Sequence, residues 1–320
     1  MIKTDVTEML GIKYPIIGGT MYNITNSEFV ADISNAGGLG ILASVMYPKP
    51  DLLREALQKL KSLTDKPFAV NVNLFPMLMP VNQKGLIEVM IDEGVKIIET
   101  SGHKAPKEYV PLFKDADVTW IHKCAGVKYA KTGARLGADI IEVVGYENGG
   151  ATGKLDIGTM VMIPSVVDAV DVPVIGGGGI SDGRGLVATL SLGAGAAIIG
   201  TRLMATKECP IHQNLKEAFV KAAETDTVLT MRSLGATHRS WNNAAAQKVL
   251  ELEASKSGMD KIFDAAAGRH AKKMYKEGDL DVGVISLGQG VGLVNDIPTV
   301  KELFDRMVAE AENIIKNLSN

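Results

Sequence analysis

Cysteine is nearly absent: Cys124 and Cys209 are the only two in 320 residues. Neither sits at a metal-ligand spacing or suggests a staple. A disulfide framework and a zinc site are therefore excluded, and a reducing cytoplasm is the expected compartment. Charge of one sign is missing too. A net −3 gives no electrostatic case for nucleic acid or for an anionic membrane. No apolar run reaches membrane-spanning length, and the start, Met1-Ile-Lys-Thr-Asp5, lacks a secretory apolar region. Aromatic residues are few at 5 %, and no low-complexity segment or linker interrupts the chain. What is abundant is glycine, 34 residues of it, which suits many tight strand-to-helix turns.

Short apolar runs ending in Gly, Asn, Thr or Lys alternate with longer helical patterns. The runs predict strands at Pro15–Gly18, Gly40–Ala43, Phe68–Asn73, Lys96–Thr100, Thr119–Lys123, Ile140–Val144, Val174–Gly176 and Ala196–Gly200. Helical segments are expected at Ser27–Ala36, Pro50–Leu63, Gly85–Glu93, Tyr129–Leu136 and Arg184–Leu192. Eight strands with intervening helices point to a closed (β/α)8 TIM barrel in the α/β class rather than an open sheet. The texture changes after Thr201. From about His212 to Gly278 no run reads as a strand, and Ile262–Lys276 is amphipathic. The expected division is a barrel over 1–211 and 284–320 with a mostly helical second region over 212–283. The glycine-rich Val284–Leu293 should return to the barrel mouth, followed by a last helix, Thr299–Leu318.

Pro173-Val-Ile-Gly-Gly-Gly-Gly-Ile180 and Gly193-Ala-Gly-Ala-Ala-Ile-Ile-Gly-Thr-Arg202 each run a buried-strand pattern into glycine. Backbone N–H groups without a Cβ in the way can close around a phosphate. One such loop reads best as a tight turn. Two in succession, after the seventh and eighth strands of a barrel, match a phosphate grip made by Gly178, Gly179, Gly200 and Thr201.

Other candidates lie at strand ends. Lys123 closes Trp120-Ile-His-Lys and would point into the mouth, where it can neutralise a developing anion; a plain surface lysine is the alternative. Asn71 and Asn73 share a face by alternation and suit the edge of a heteroaromatic ring, although local turn bonds would also use them. The loop Gly145-Tyr-Glu-Asn-Gly-Gly-Ala-Thr-Gly153 follows the sixth strand. Its Glu147 is either an acid–base group or a partner for nearby backbone N–H groups. His103, just after the fourth strand, is the histidine best placed for proton transfer. His122 should point the other way, towards the helices, and His212, His238 and His270 fall in the helical region as structural or exposed residues. Cys124 reads as packing, no nucleophile elbow occurs, and no metal is expected.

Pro15-Ile-Ile-Gly-Gly-Thr-Met21, Ala36-Gly-Gly-Leu-Gly40, Pro67-Phe-Ala-Val-Asn71, His122-Lys-Cys124, Gly178-Gly-Ile-Ser-Asp-Gly-Arg184, Gly200-Thr-Arg202 and Gly288-Gln-Gly290 recur in order. Together they resemble the nitronate monooxygenase (2-nitropropane dioxygenase-like) family of FMN-dependent barrels over essentially the whole chain. His122-Lys-Cys124 is most similar to its NAD(P)H:quinone reductase-like subgroup, and FMN-type enoyl-acyl-carrier-protein reductases are related. The resemblance implies FMN with its phosphate on Gly178, Gly179, Gly200 and Thr201. Its ring would lie near Gly18, Gly19, Thr20 and Met21, with Asn71, Asn73 and Lys123 at the polar edge and Gly149 and Gly150 close by. The family's loop phrase after the sixth strand carries a histidine that acts as base or acid; here that position is Ala151. Alanine transfers no proton, so abstraction from a nitroalkane by this residue is excluded.

The resemblance thus implies an FMN-dependent oxidoreductase, with NAD(P)H as co-substrate and a quinone or activated alkene as the small-molecule acceptor. Three alternatives stay open. They are oxidation of preformed nitronates with O2, reduction or isomerisation of an unsaturated thioester with His103 or Tyr146 as proton donor, and a non-catalytic FMN-binding barrel. The sequence also leaves open a homo-oligomer.

Overall fold

A computed structural model describes residues 2–75, 81–102 and 104–319. Eight parallel strands close a barrel: β1 (Ile16–Gly18), β2 (Leu39–Ala43), β3 (Phe68–Asn73), β4 (Ile97–Ser101), β5 (Thr119–Cys124), β6 (Ile140–Val144), β8 (Val174–Gly177) and β9 (Ala196–Ile199). Closure is made by β9 on β1, with Ile16 opposite Ala197. Each expected strand is present within a residue or two. Three more strands form a small separate sheet in the order β10 (Thr227–Thr230), β11 (His238–Trp241), β7 (Gly150–Ala151).

Alternation along the strands divides the core in two. Ile17, Leu39, Ile41, Ala69, Ile97, Ile121, Ile140, Ile175 and Ile198 point inward and fill the barrel. Val70, Val72, Ile98, Trp120, Ile141 and Val143 point outward, under the helices. The barrel floor is plugged by a helix absent from the sequence reading, Asp5–Leu10, whose Val6 and Leu10 join the inner cluster. It starts on a Thr4–Thr7 capping box, which supplies orphan N–H groups with acceptors. Val110–Asp115 and Thr159–Val167 are further helices that the sequence pattern did not disclose.

The region 212–283 is mostly helical, through Gln213–Lys221, Ala244–Ala254, Met259–Ala265 and Gly268–Glu277. It departs from expectation twice. It contains β10 and β11, so the absence of strands is corrected. The amphipathic stretch is also broken in two near Ala267, whose extended backbone begins the second helix. The strands escaped notice because each is four residues long, and β11 finds part of its pairing in β7, far away in sequence. Val284–Leu293 does return to the mouth: Gln289 N donates to Glu147 O at 2.9 Å and Ser181 Oγ to Gly290 O at 2.8 Å. Among the described residues no helix is long and apolar enough to cross a membrane.

Candidate active site

The inward positions of four consecutive strands carry polar residues one layer above the aliphatic floor: Asn71 on β3, Glu99 on β4, Lys123 on β5 and Glu142 on β6. Register pairs Asn71 with Glu99 and Lys123 with Glu142. Lys123 Nζ lies 2.8 Å from Glu142 Oε1 and 3.9 Å from Glu99 Oε1. Glu99 Oε2 accepts from Asn71 Nδ2 at 2.5 Å and from Thr20 Oγ1 at 2.8 Å. Both carboxylates are fully buried, whereas the lysine side chain is 25 % exposed. Burial alone would push the Lys123 ammonium down. Glu142 and Glu99 more than offset this and hold it above its ordinary value, so it stays charged. Burial drives the Glu142 carboxyl up, and Lys123 draws it only part of the way back. The result is a cation fixed at the bottom of the mouth, with carboxylates beneath it.

The opposite wall is backbone. Gly178 and Gly179 have φ of +113° and +73°, the left-handed region that glycine enters without strain. Among the described residues no acceptor meets the N–H of Gly179 or Gly200. A Cβ on Gly200 would enter open space, meeting nothing closer than Met21 Sδ at 3.9 Å. Thr201 Oγ1 accepts the Gly288 N–H at 2.9 Å, leaving its own proton to donate. Between belt and glycines lies a cavity of about 850 Å³, which Gly19, Thr20, Met21, Asn71, Asn73, Gly149, Gly150, Gly178, Gly179, Gly200 and Thr201 all line.

Gly18 and Tyr146 lie outside the cavity lining, whereas Asn73 and Glu147 line it but also serve local bonds. Gly18 faces the helix layer, where a Cβ would meet Ile33 Cδ1 at 2.9 Å. Asn73 also serves a turn, accepting from Phe75 N at 3.0 Å. Glu147 binds backbone: its carboxylate accepts from Thr159 N at 2.9 Å and Thr159 Oγ1 at 2.8 Å, at the start of the helix Thr159–Val167. Tyr146 is outside the cavity lining, with its ring 4.3 Å beneath the Arg239 guanidinium. His103 lies outside the described residues.

His122 does face the helices. Trp120 Nε1 donates to Thr100 Oγ1 at 2.8 Å, and the same hydroxyl lies 3.0 Å from His122 Nδ1. Burial depresses that imidazole's pKa to about 4. Cys124 borders the cavity, but burial pushes its thiol up to about 12, which keeps it un-ionised. Sequence reasoning missed Glu99 and Glu142 as site residues, although a lone glutamate inside Ile-Ile-Glu-Thr-Ser and Ile-Ile-Glu-Val-Val was the available signal. It also missed that His238 and Ser286 line the cavity.

The nitronate monooxygenase family profile matches residues 3–78 and 76–310. The chain belongs to that family. It is therefore a flavin-dependent oxidoreductase, as the nitronate monooxygenase resemblance implied. A curated relative, the (3aS,4S,5R,7aS)-5-hydroxy-7a-methyl-1-oxo-octahydro-1H-indene-4-carboxyl-CoA dehydrogenase of Rhodococcus jostii, is 34 % identical and covers 97 % of this chain and 96 % of its own. A probable nitronate monooxygenase of Staphylococcus saprophyticus is 30 % identical over 79 % of this chain and 82 % of its own. FabK from Thermotoga maritima superposes with a TM-score of 0.93 at 35 % identity, covering 100 % of this chain and 99 % of that one. Members of the nitronate monooxygenase family are FMN flavoproteins, and this site fits the cofactor. Gly179, Gly200 and Thr201 present unpaired donors around an open cradle suited to its phosphate, and Asn71 and Lys123 present polar groups suited to its ring.

Proposed function

We propose that the protein transfers an electron pair from NAD(P)H to a conjugated acceptor, a quinone or an activated alkene, and that an alkene activated by a thioester is the favoured class. The observation that carries this reading is Lys123, kept charged beside buried Glu142 and Glu99 at the floor of a cavity whose far wall is glycine backbone with unpaired N–H donors. FMN, when bound, supplies the two-electron carrier between donor and acceptor. A cation already fixed in place stabilises negative charge that accumulates during reduction, with no reorganisation at the moment of transfer. Glu99 and Glu142 position that cation, and Asn71 orients Glu99. The glycine wall lets backbone approach a ligand closely, and the aliphatic layer below the belt keeps water from entering beneath it. Transfer of a hydride needs no side-chain base, which agrees with alanine at position 151. The thioester class is favoured because a relative spanning 97 % of this chain is named as a carboxyl-CoA dehydrogenase.

Anaerobic stopped-flow tests the reading. NADH or NADPH should bleach the flavin absorbance, and crotonyl-CoA or menadione should restore it. Flavin left unbleached by both nicotinamides overturns it. Oxidation of preformed nitronates is the second reading, favoured by the name of the staphylococcal relative. Oxygen uptake with propionate 3-nitronate and none with NAD(P)H would select it.

A further inference from the structure

Ala151 does not stand alone on its strand. The β7–β11 register sets His238 directly opposite it, and the next pair is Arg239 with Gly150. Directly opposed residues of an antiparallel pair project from the same face with their Cβ atoms about 5 Å apart. The imidazole therefore leaves the small sheet beside the Ala151 methyl group, and both residues line the cavity. Arg239 leaves from the other face and stacks on Tyr146. Of the described histidines, His238 alone borders the cavity: His122 faces the helices and His212 caps a helix, accepting from Asn214 N at 3.2 Å. His238 Nε2 is held by Ser286 Oγ at 2.9 Å, and no partner meets Nδ1 among the described residues. Burial lowers its pKa to about 4, so the ring is neutral at neutral pH.

We propose that His238, oriented by Ser286, supplies the imidazole that the loop after the sixth strand lacks, and that it binds the carbonyl oxygen of the acceptor. This rests on the conjugated acceptor proposed above. With the Ser286 hydroxyl donating to Nε2, the ring keeps its proton on Nδ1 and can donate it as a hydrogen bond. In the reduction, a hydride originating from NAD(P)H adds to the β-carbon and the π pair of the alkene moves onto the carbonyl oxygen. A proton from water then adds to the α-carbon, restoring the C=O. His238 gains and loses no proton. It stabilises the enolate oxygen, a task suited to a neutral imidazole.

The test uses FMN-loaded enzyme reduced with dithionite and mixed anaerobically with crotonyl-CoA or menadione. His238→Ala should reoxidise at least ~100-fold more slowly, as for the loss of one oxyanion donor, with flavin content, Tm and the rate of reduction by nicotinamide close to wild type. Binding of unreactive butyryl-CoA, followed by calorimetry, should weaken about tenfold, the loss of one such hydrogen bond. Moving the imidazole across the strand pair, Ala151→His in the His238→Ala background, should recover at least about a tenth of the lost rate, and His238→Gln should recover less. Wild-type reoxidation rate and wild-type butyryl-CoA affinity in His238→Ala overturn the proposal alone. No reoxidation of the wild type by either acceptor overturns the acceptor reading and this proposal with it. Reoxidation that depends on His238 while neither nicotinamide bleaches the flavin overturns only the choice of donor.

Discussion

The barrel and the small sheet beside it are held together in different ways. The barrel buries aliphatic side chains on both faces of its strands and concentrates its polar cost in one belt, Asn71–Glu99–Lys123–Glu142. The small sheet buries polar groups instead: Thr230, Arg239 and Ser240 are covered, while residues 227–229 are only half-buried. Its attachments are individual hydrogen bonds. Glu253 accepts from Met231 N at 2.8 Å, Ser233 N at 2.9 Å and Ser233 Oγ at 2.6 Å. Arg239 Nε donates to Tyr146 O at 3.0 Å, and Nη1 donates to Thr227 Oγ1 at 3.0 Å. A wall built from apolar area is rigid and tolerates few changes. A wall built from separate hydrogen bonds can change its residues one at a time, and that is the wall on which Ala151 and His238 sit.

The comparison can be broken first at the belt. Lys123→Met leaves buried Glu99 and Glu142 without their cation and should cost about 3–5 kcal/mol, lowering Tm by roughly 5–7 °C. Adding Glu142→Gln should return part of it; an unchanged Tm in the single variant would mean that the belt does not hold the barrel. Next comes acid. His122 is neutral in the fold with a pKa near 4 against an ordinary 6.5. As pH falls from 6.5 towards 4, the unfolded chain takes up a proton that the native ring refuses. Stability is therefore full above 6.5 and declines through that window, by up to about 3 kcal/mol. His238, also held near 4, adds a similar loss. Urea midpoints at pH 7 and pH 5 should show the sum, and His122→Gln should remove about half of it; equal slopes in the two proteins would remove His122 as a cause. The smallest effect belongs to the sheet. Glu253→Ala should cost only about 1 kcal/mol in Tm terms. Amide exchange should nonetheless accelerate selectively around Met231–Ser233, leaving the barrel strands protected. A global acceleration would show that the two regions are not separable.

The same contrast explains what could be read from the sequence. β3, β5 and β6 are six- or five-residue apolar runs whose alternation survives in isolation, and their ends were legible within a residue. Lys123 and the glycines after the last two barrel strands were legible too, because a strand end in a barrel has one destination. Glu99 and Glu142 were not, since each glutamate looks like a solvated residue until the register brings it to Lys123. The pairing of Gly150–Ala151 with His238–Arg239 was harder still. Two residues carry no periodicity, and their partner lies 87 positions along the chain. A histidine assigned to a helical region had no visible reason to be at the cavity.

The loop Gly288–Gly290 has a consequence for synthesis. It bonds Thr201, Glu147 and Ser181, and so locks the strand-ending turns from both sides of the cavity into one wall. Residues lining that cavity run from Gly19 to Gly290. On the ribosome, which emits the N-terminal end first, the strands of the barrel can associate long before this loop emerges. The mouth is finished only once Gly288–Gly290 has left the exit tunnel, so capture of the cofactor should follow, not precede, association of the eight strands.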